Sequence, residues 1–454
     1  MLRADLIRIS MPNFLVQYLY TLLGGLVRSA SLVALLALSG LAHSQEPSPE
    51  PKRPLSLASA VALALSQNPA LAVYNYDVRA VEARRIRAGY RPNPAIGLEV
   101  ENLPGSGSRS GADATETTLQ LSQVIELGGK RTRRLAEARL SGHLAAWDYE
   151  TRRLDVLAET TRQFIEVVAA QERLALAGEA LNLAKLELAA VAERVQAART
   201  SVVEQKKAEI SVARAAIERE HADHTLLSAR KALAASWGSE APVFTTARAD
   251  FFATGRTESF GSLMARIGTN PDLARFATEA RVREAQLALA RTGAVQDVTV
   301  SAGIRQFADE NEWAGVFGVS VPLPFFDRGQ ADIYEALQMQ GKTDALGRAI
   351  RVALATRLFG IYQELLHSVT ELKVMAKEIL PAANEVLKET EEGYRLGRFS
   401  YLELSDARRS LIELRRQNIE TALTYHTSRV EIDRVIGTSA LAIDSVNPAP
   451  ASRK

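Results

Sequence analysis

The 454-residue chain contains no cysteine. That excludes disulfide scaffolds, thiolate metal sites and lipid attachment through a thiol. Aromatic residues make up only 6% while hydrophobic residues make up 47%, so the apolar content is mostly alanine and leucine. This is the composition of long helices that pack closely. Glycine (27) and proline (16) are too sparse for a loop-rich or disordered chain. The 55 basic and 53 acidic side chains nearly cancel, leaving a net charge of +2. The large clustered basic excess of a nucleic-acid-binding protein is therefore missing. After residue 44 no window holds 18 uncharged apolar residues, so no transmembrane helix is expected there. There is no nucleophile elbow or zincin helix. Gly129-Lys130 is followed by Arg131, and Val124 stands where a phosphate loop needs glycine. Neither an enzyme nor a resident cofactor is expected. His221 and His224 flank Asp223 on one helical turn, but such a pair reads first as a solvated helix face.

Residues 1–44 read as an export signal. Arg28 supplies a charge, Ser29 to Leu41 form an apolar run, and Ala42-His43-Ser44 is an acceptable cleavage site. The run is too short to span a bilayer. Residues 45–54, rich in Pro, Glu and Ser, read as a flexible segment. Export without disulfides or a helical span points to the periplasm or the outer membrane.

The chain is written twice. Asn68-Pro69 recurs as Asn270-Pro271, Ser122 as Ser320, the interruption Ala198 to Ser201 as Gly397 to Ser400, and Trp237-Gly238 as Ile436-Gly437, at offsets of 202, 198, 199 and 199. The repeats span 55–238 and 259–437, joined by a linker at 239–258 and followed by a tail at 438–454. Each repeat predicts a helix of about 35 residues (Leu57 to Tyr90; Phe260 to Ala294), two strands and a very long helix (Lys130 to Ala197; Gly329 to Leu396). A turn (198–201; 397–400) and a second helix of about 36 residues (Ser201 to Trp237; Ser400 to Ile436) follow. The long helix would extend roughly 100 Å and each shorter one roughly 50 Å, so the two shorter helices stacked end to end match the long one. Leu174, Ala177, Leu181, Ala184, Leu188, Val191 and Val195 alternate steps of three and four. So do Leu365, Val369, Leu372, Ala376, Ile379, Ala383 and Val386. This is a coiled-coil seam. Pro381 lies within it and should kink that helix.

The strands, about 94–103, 115–124, 297–306 and 314–322, each alternate one apolar with one polar face. Their length matches strands that cross a bilayer at a tilt. Lipid tolerates no open sheet edge, and single-chain barrels need at least about eight strands. Four per chain therefore force copies to assemble, unless the hairpins pack as a soluble sheet on the helices.

The residues resemble the TolC-like outer membrane factors. The marks are Asn68-Pro69, Arg91-Pro92-Asn93-Pro94, Glu126-Leu127-Gly128-Gly129-Lys130-Arg131, Pro322 to Gly329 (PLPFFDRG) and Tyr394-Arg395-Leu396-Gly397. The ELGGKR and PLPFFDRG segments look most like the CzcC-type branch, the outer membrane subunits of heavy-metal cation efflux systems. The resemblance implies a mainly α fold with a small β part. Duplicated coiled-coil hairpins would form an α-barrel, and four strands per chain would enter a trimeric twelve-stranded β-barrel in outer membrane lipid. It implies a homotrimer acting as a passive duct, a periplasmic adaptor (membrane fusion protein) and an inner-membrane pump of the resistance–nodulation–division class. Many relatives are lipidated on an N-terminal cysteine; with none here, anchoring would rest on the barrel.

The resemblance also implies a periplasmic gate. Glu403 and Asp406 match its acidic positions and share a helix face. In a trimer they would form a ring whose carboxylates attract cations and raise one another's pKa. Glu204 matches the acidic position of the first repeat, and Lys207 stands opposite Asp406. The family's basic gating residue lies two places after the tip glycine, where this chain has Phe399; Arg398 is one place earlier. Arg398 is expected to reach Glu204 of a neighbouring hairpin. Arg199, Thr200, Ser201, Gly397, Arg398, Phe399 and Ser400 are the expected adaptor-docking tips. The cargo could also be a drug or a secreted polypeptide, and a periplasmic coiled-coil adaptor is the reading from another class.

Overall fold

The computed structural model describes residues 54–438. The expected signal, most of the segment at 45–54 and all but the first residue of the tail fall outside it. In chain order the elements are α1 (Leu57–Gln67), α2 (Pro69–Ala88), β1 (Ala95–Glu101), β2 (Glu116–Ile125), α3 (Lys130–Gln196) and α4 (Val202–Ala235). The second repeat follows with α5 (Phe260–Arg266), α6 (Pro271–Ala290), β3 (Val298–Phe307), β4 (Glu312–Ser320), α7 (Gln330–Val374), α8 (Leu380–Arg395) and α9 (Tyr401–Ile436).

Each expected helix of about 35 residues is in fact two. The break is the Asn-Pro pair. Asn68 leaves the helix (ψ 121°), and its Oδ1 accepts from the amides of Ala70 (2.9 Å) and Leu71 (3.1 Å) to start α2, with Pro69 in the first turn. Proline suits that position because its missing N–H would have had no partner there. The chain bends by 40° between α1 and α2. Asn270 repeats the arrangement, accepting from Asp272 N at 2.6 Å. A 3₁₀ turn, Ile267–Thr269, leads into it. The other side of each asparagine explains a second pair of repeated landmarks. Asn68 Nδ2 donates to Ser236 O (2.7 Å), and Asn270 Nδ2 donates to Arg434 O (3.0 Å) and Val435 O (2.7 Å). The Asn-Pro corners thus cap the ends of α4 and α9, where Trp237-Gly238 and Ile436-Gly437 stand.

The core gathers at this level. Phe164 and Val167 of α3, Leu233 of α4, Leu358 of α7 and Tyr425 and Ile436 of α9 are almost fully buried together. The linker packs against them: Phe251 stacks on His426 with ring centroids 5.6 Å apart, and Tyr425 Oη accepts from Gly255 N at 2.8 Å. His426 is pushed below its ordinary pKa by burial.

On the strand side of this core the helices α2, α3, α6 and α7 pack in sequence, and β1-β2-β3-β4 form an antiparallel sheet in the same order. On the tip side the neighbours run α4, α3, α9, then α8 and the end of α7. The second strut does not run unbroken. A π-helical turn, Met375–Ile379, precedes Pro381, and Leu380 N bonds to Met375 O, five residues back. The wide turn makes room for the proline ring. Its extra residue also shifts the seam. Met375 is buried in place of Ala376, Val386 is 56% exposed, and Leu387 instead packs inward.

Candidate functional site

The sheet is the first part of the site. Directly paired residues share a face, and the register puts Ile96 opposite Leu121, Leu98 opposite Leu119, Leu119 opposite Ile304, Val300 opposite Val319 and Ala302 opposite Phe317. This apolar face is bare: Ile96, Phe317 and Val319 are 78%, 84% and 74% exposed. The reverse face carries Gln120, Ser122, Ser301 and Arg305. Arg305 binds Glu116 (2.8 Å), Glu101 (3.0 Å) and Thr118 Oγ1 (2.8 Å) across three strands. The edges β1 and β4 have no strand partner among the described residues. A soluble hairpin pair would turn its apolar face to the helices; this one turns it outward.

The tips are the second part. Both long struts end in the same motif: Ala198 N bonds to Val195 O and Arg199 N to Arg194 O, while Gly397 N bonds to Tyr394 O and Arg398 N to Gly393 O. Such a Schellman ending needs a left-handed residue. Gly397 adopts φ 77° freely; Ala198 is held at φ 54°. Ser201 then caps α4, accepting from Val203 N at 3.1 Å, and Ser400 caps α9.

Each candidate gate residue is at these tips, but two are differently engaged than expected. Glu403 completes a capping box: its Oε2 accepts from Ser400 N (2.7 Å) and Ser400 Oγ (2.8 Å). Those bonds hold its carboxyl below the ordinary value. Within one chain the shift is thus opposite to that expected from crowding between carboxylates. The Ser-Tyr-Leu-Glu spacing was a legible capping-box signal. Glu204 accepts from the hydroxyl of Thr200. Asp406 is exposed and makes no hydrogen bond or ion pair with a described residue. No bond joins Arg398 to Glu204 within the chain, because α3 packs between α4, which carries Glu204, and α9, whose leading turn carries Arg398. Phe399 is 43% exposed and rests on its own hairpin, over Gly393, where an added Cβ would lie 2.1 Å from the ring.

Behind the tips lies a layer that the residue pattern did not reveal. Val191, Ala208, Tyr394, Tyr401 and Leu404 form a small core. Arg194 lies 4.4 Å over the Tyr394 ring and donates to Tyr394 O at 2.7 Å. Arg408 bridges buried Glu187 (3.0 Å) and Glu391 (2.7 Å). Burial, with Glu187 facing it, pushes Tyr401 up to about 12. These contacts lock the first hairpin to the second through α3 and α9. The signal in the sequence was the pair of tyrosines flanking the second tip. Among the described residues no cluster of three metal-binding side chains occurs, and His221, Asp223 and His224 form none.

The bare apolar face and the two struts beneath it decide between the readings, and the comparisons agree. The profile of the outer membrane efflux protein family matches residues 60–239 and 266–438. The chain belongs to that family. It is 30% identical over 384 residues to the cobalt-zinc-cadmium resistance protein CzcC of Cupriavidus metallidurans, covering 85% of this chain and 90% of that one. It is 26% identical to the nickel-cobalt-cadmium resistance protein NccC of Alcaligenes xylosoxydans xylosoxydans, covering 72% and 73%. Among solved structures, the fold matches CusC, described as changing conformation on folding and transmembrane channel formation, with a TM-score of 0.70 at 16% identity over 87% of this chain and 96% of CusC. The fold is that of the TolC-like channels, and membership of an outer membrane efflux family sets aside the adaptor reading.

Proposed function

We propose that this chain is the outer membrane exit duct of a tripartite efflux system whose cargo is divalent heavy-metal cations. Three copies close the sheet into a twelve-stranded barrel and the struts into a twelve-helix tunnel. The observation that carries the assembly is the sheet, apolar on one face, polar on the other and open at both edges. Lipid does not accept such edges unless copies close them. The flanking helices support it: Ile210 and Ile217 on α4, and Leu366 and Val386 on the opposite flank, are exposed apolar side chains. The cargo reading rests on the metal-resistance relatives. The duct performs no chemistry; an inner-membrane pump of the resistance–nodulation–division class drives export through a periplasmic adaptor that meets the tips. An N-terminal signal brings the chain to the membrane.

At the closed tip, Arg398 of one copy reaches Glu204 of the next, since neither has an ionic partner among the described residues of its own chain. Glu403 and Asp406 face the opening from the adjacent turn and favour cations. Two experiments test this. Deleting the gene should sensitise cells to zinc, cobalt or cadmium; unchanged tolerance to all three, with sensitivity to organic drugs instead, overturns the cargo. In planar bilayers Arg398→Ala should raise conductance, and an unchanged value rejects the gating bond.

A further inference from the structure

The two repeats diverge most in charge where helices meet strands. Residues 79–91 and 130–139, on either side of the first strand pair, hold ten basic and two acidic side chains. The corresponding 281–293 and 330–339 hold three of each. The excess surrounds a cavity of about 770 Å³ between α2 and α3. That volume suits a small-molecule headgroup.

The cavity is polarised along its length. Its strand-side end is lined by Arg87, Arg91 and Arg134 with one carboxylate, Glu126, and Arg84 lies at the level of Glu137. Arg134 neutralises Glu126 through two bonds of 2.7 and 3.2 Å and also donates to Ala88 O and Tyr90 O. One turn further, Glu137 accepts from Ser141 and Gln286. At the far end lie Asp77 and Asp148, the latter paired with Arg275 at 3.2 Å. The side chains of Arg84, Arg87 and Arg91 make no hydrogen bond or ion pair with any described residue. They line a cavity between two helices of one chain, and Val73, Tyr76 and Ile86 of the same helix are exposed. Four residues beyond Arg91 the strand β1 begins, and its bare apolar face starts at Ile96. A ligand that touches both must be anionic at one end and hydrocarbon at the other.

We propose that this cavity is a phospholipid site: Arg84, Arg87 and Arg91 hold the phosphate of an anionic headgroup from the periplasmic leaflet, and its acyl chains lie along the apolar face of β1. Basic residues at a membrane surface attract anionic lipid, and each contributes about a fivefold change in binding. The site would set the depth of the barrel in the membrane from the first repeat alone. It rests on the membrane placement of the sheet and is independent of the cargo.

Native mass spectrometry of the detergent-solubilised full chain tests this, because one spectrum reports both copy number and bound lipid. Phosphatidylglycerol should bind at least tenfold more tightly than phosphatidylcholine, and rising salt should weaken it. Each of Arg84→Gln, Arg87→Gln and Arg91→Gln should lower phosphatidylglycerol binding about fivefold, with copy number unchanged. Arg139→Gln, outside the cavity, should leave it intact. Arg→Lys at the same three positions, which keeps the charge, should retain most of the binding and guards against misfolding. Equal binding of the two lipids overturns the proposal. So does competition by inorganic phosphate at the lipid's own concentration, or an unaltered preference in all three glutamine variants. Loss of copy number with the lipid preference intact would assign the arginines to contacts between copies and equally overturns it.

Discussion

At the scale of single residues, the two tips are a matched pair with one difference. Gly397 and Ala198 occupy the same left-handed position, but only glycine does so without crowding between Cβ and the carbonyl. No atom lies within 4 Å of where a Cβ on Gly397 would stand, so its replacement tests the backbone alone. Gly397→Ala should destabilise the second tip by about 1 kcal/mol, and Ala198→Gly should stabilise the first by a similar amount. Hydrogen exchange of the tip amides reads both. Glu403 adds a pH dependence. Its bonds to Ser400 lower its pKa from 4.5, so the charged form favours the folded tip. The stabilisation is present above pH 4.5 and is lost as pH falls through the lowered value. Protection of the α9 amides after Ser400 should therefore drop on acidification below pH 4.5, and Glu403→Gln should abolish that drop.

At the scale of elements, the Asn-Pro corners explain why the landmarks recur in pairs. Each asparagine starts one helix with its oxygen and closes another, more than 160 residues away, with its nitrogen. Asn270 is fully buried, whereas Asn68 is only partly so. Replacing Asn270 by alanine removes a cap and leaves the buried Val435 carbonyl without its donor, a cost of about 2–4 kcal/mol. Asn68→Ala should cost less, about 1–2 kcal/mol, because water reaches part of the site. Chemical denaturation followed by circular dichroism ranks the two. The same scale shows where periodicity misled. A heptad count continued through Pro381 puts Ala376 and Val386 inside. The π turn adds a residue, and Met375 and Leu387 take their places. Spacing along a sequence carries no mark of a wide turn, although the proline marks where one is needed.

At the scale of the whole molecule, exposed apolar side chains line the face of the sheet and the two flanking rows of helices. A ring built from such a unit uses one flank of each copy against the other flank of the next. A charge on either flank therefore strikes every contact at once. Ile217→Asp on α4 and Val386→Asp on α8 should each abolish the heat-modifiable trimer on gels while leaving the helical content of the chain intact. Both side chains are more than half exposed in the single chain, so neither change disturbs its core.

Much of this was legible in the residues alone. The doubling, the four alternating strands and the two tips followed from spacing, because side-chain alternation and repeat offsets can be read along a chain, and the family followed from the resemblance of motifs such as ELGGKR and PLPFFDRG. The register that gathers the apolar residues on one face, the crossing of asparagines to distant helix ends, and the Tyr394–Tyr401–Glu187–Arg408 layer were decided only by tertiary structure. They join residues up to about 200 positions apart, and which of many possible partners meet is settled by how the struts pack. The candidate gate residues divide in the same way. Their place at the tips and the Ser400–Glu403 capping-box spacing were visible in the sequence, whereas the bond from Thr200 to Glu204 and the exposure of Asp406 were set only by the folded backbone.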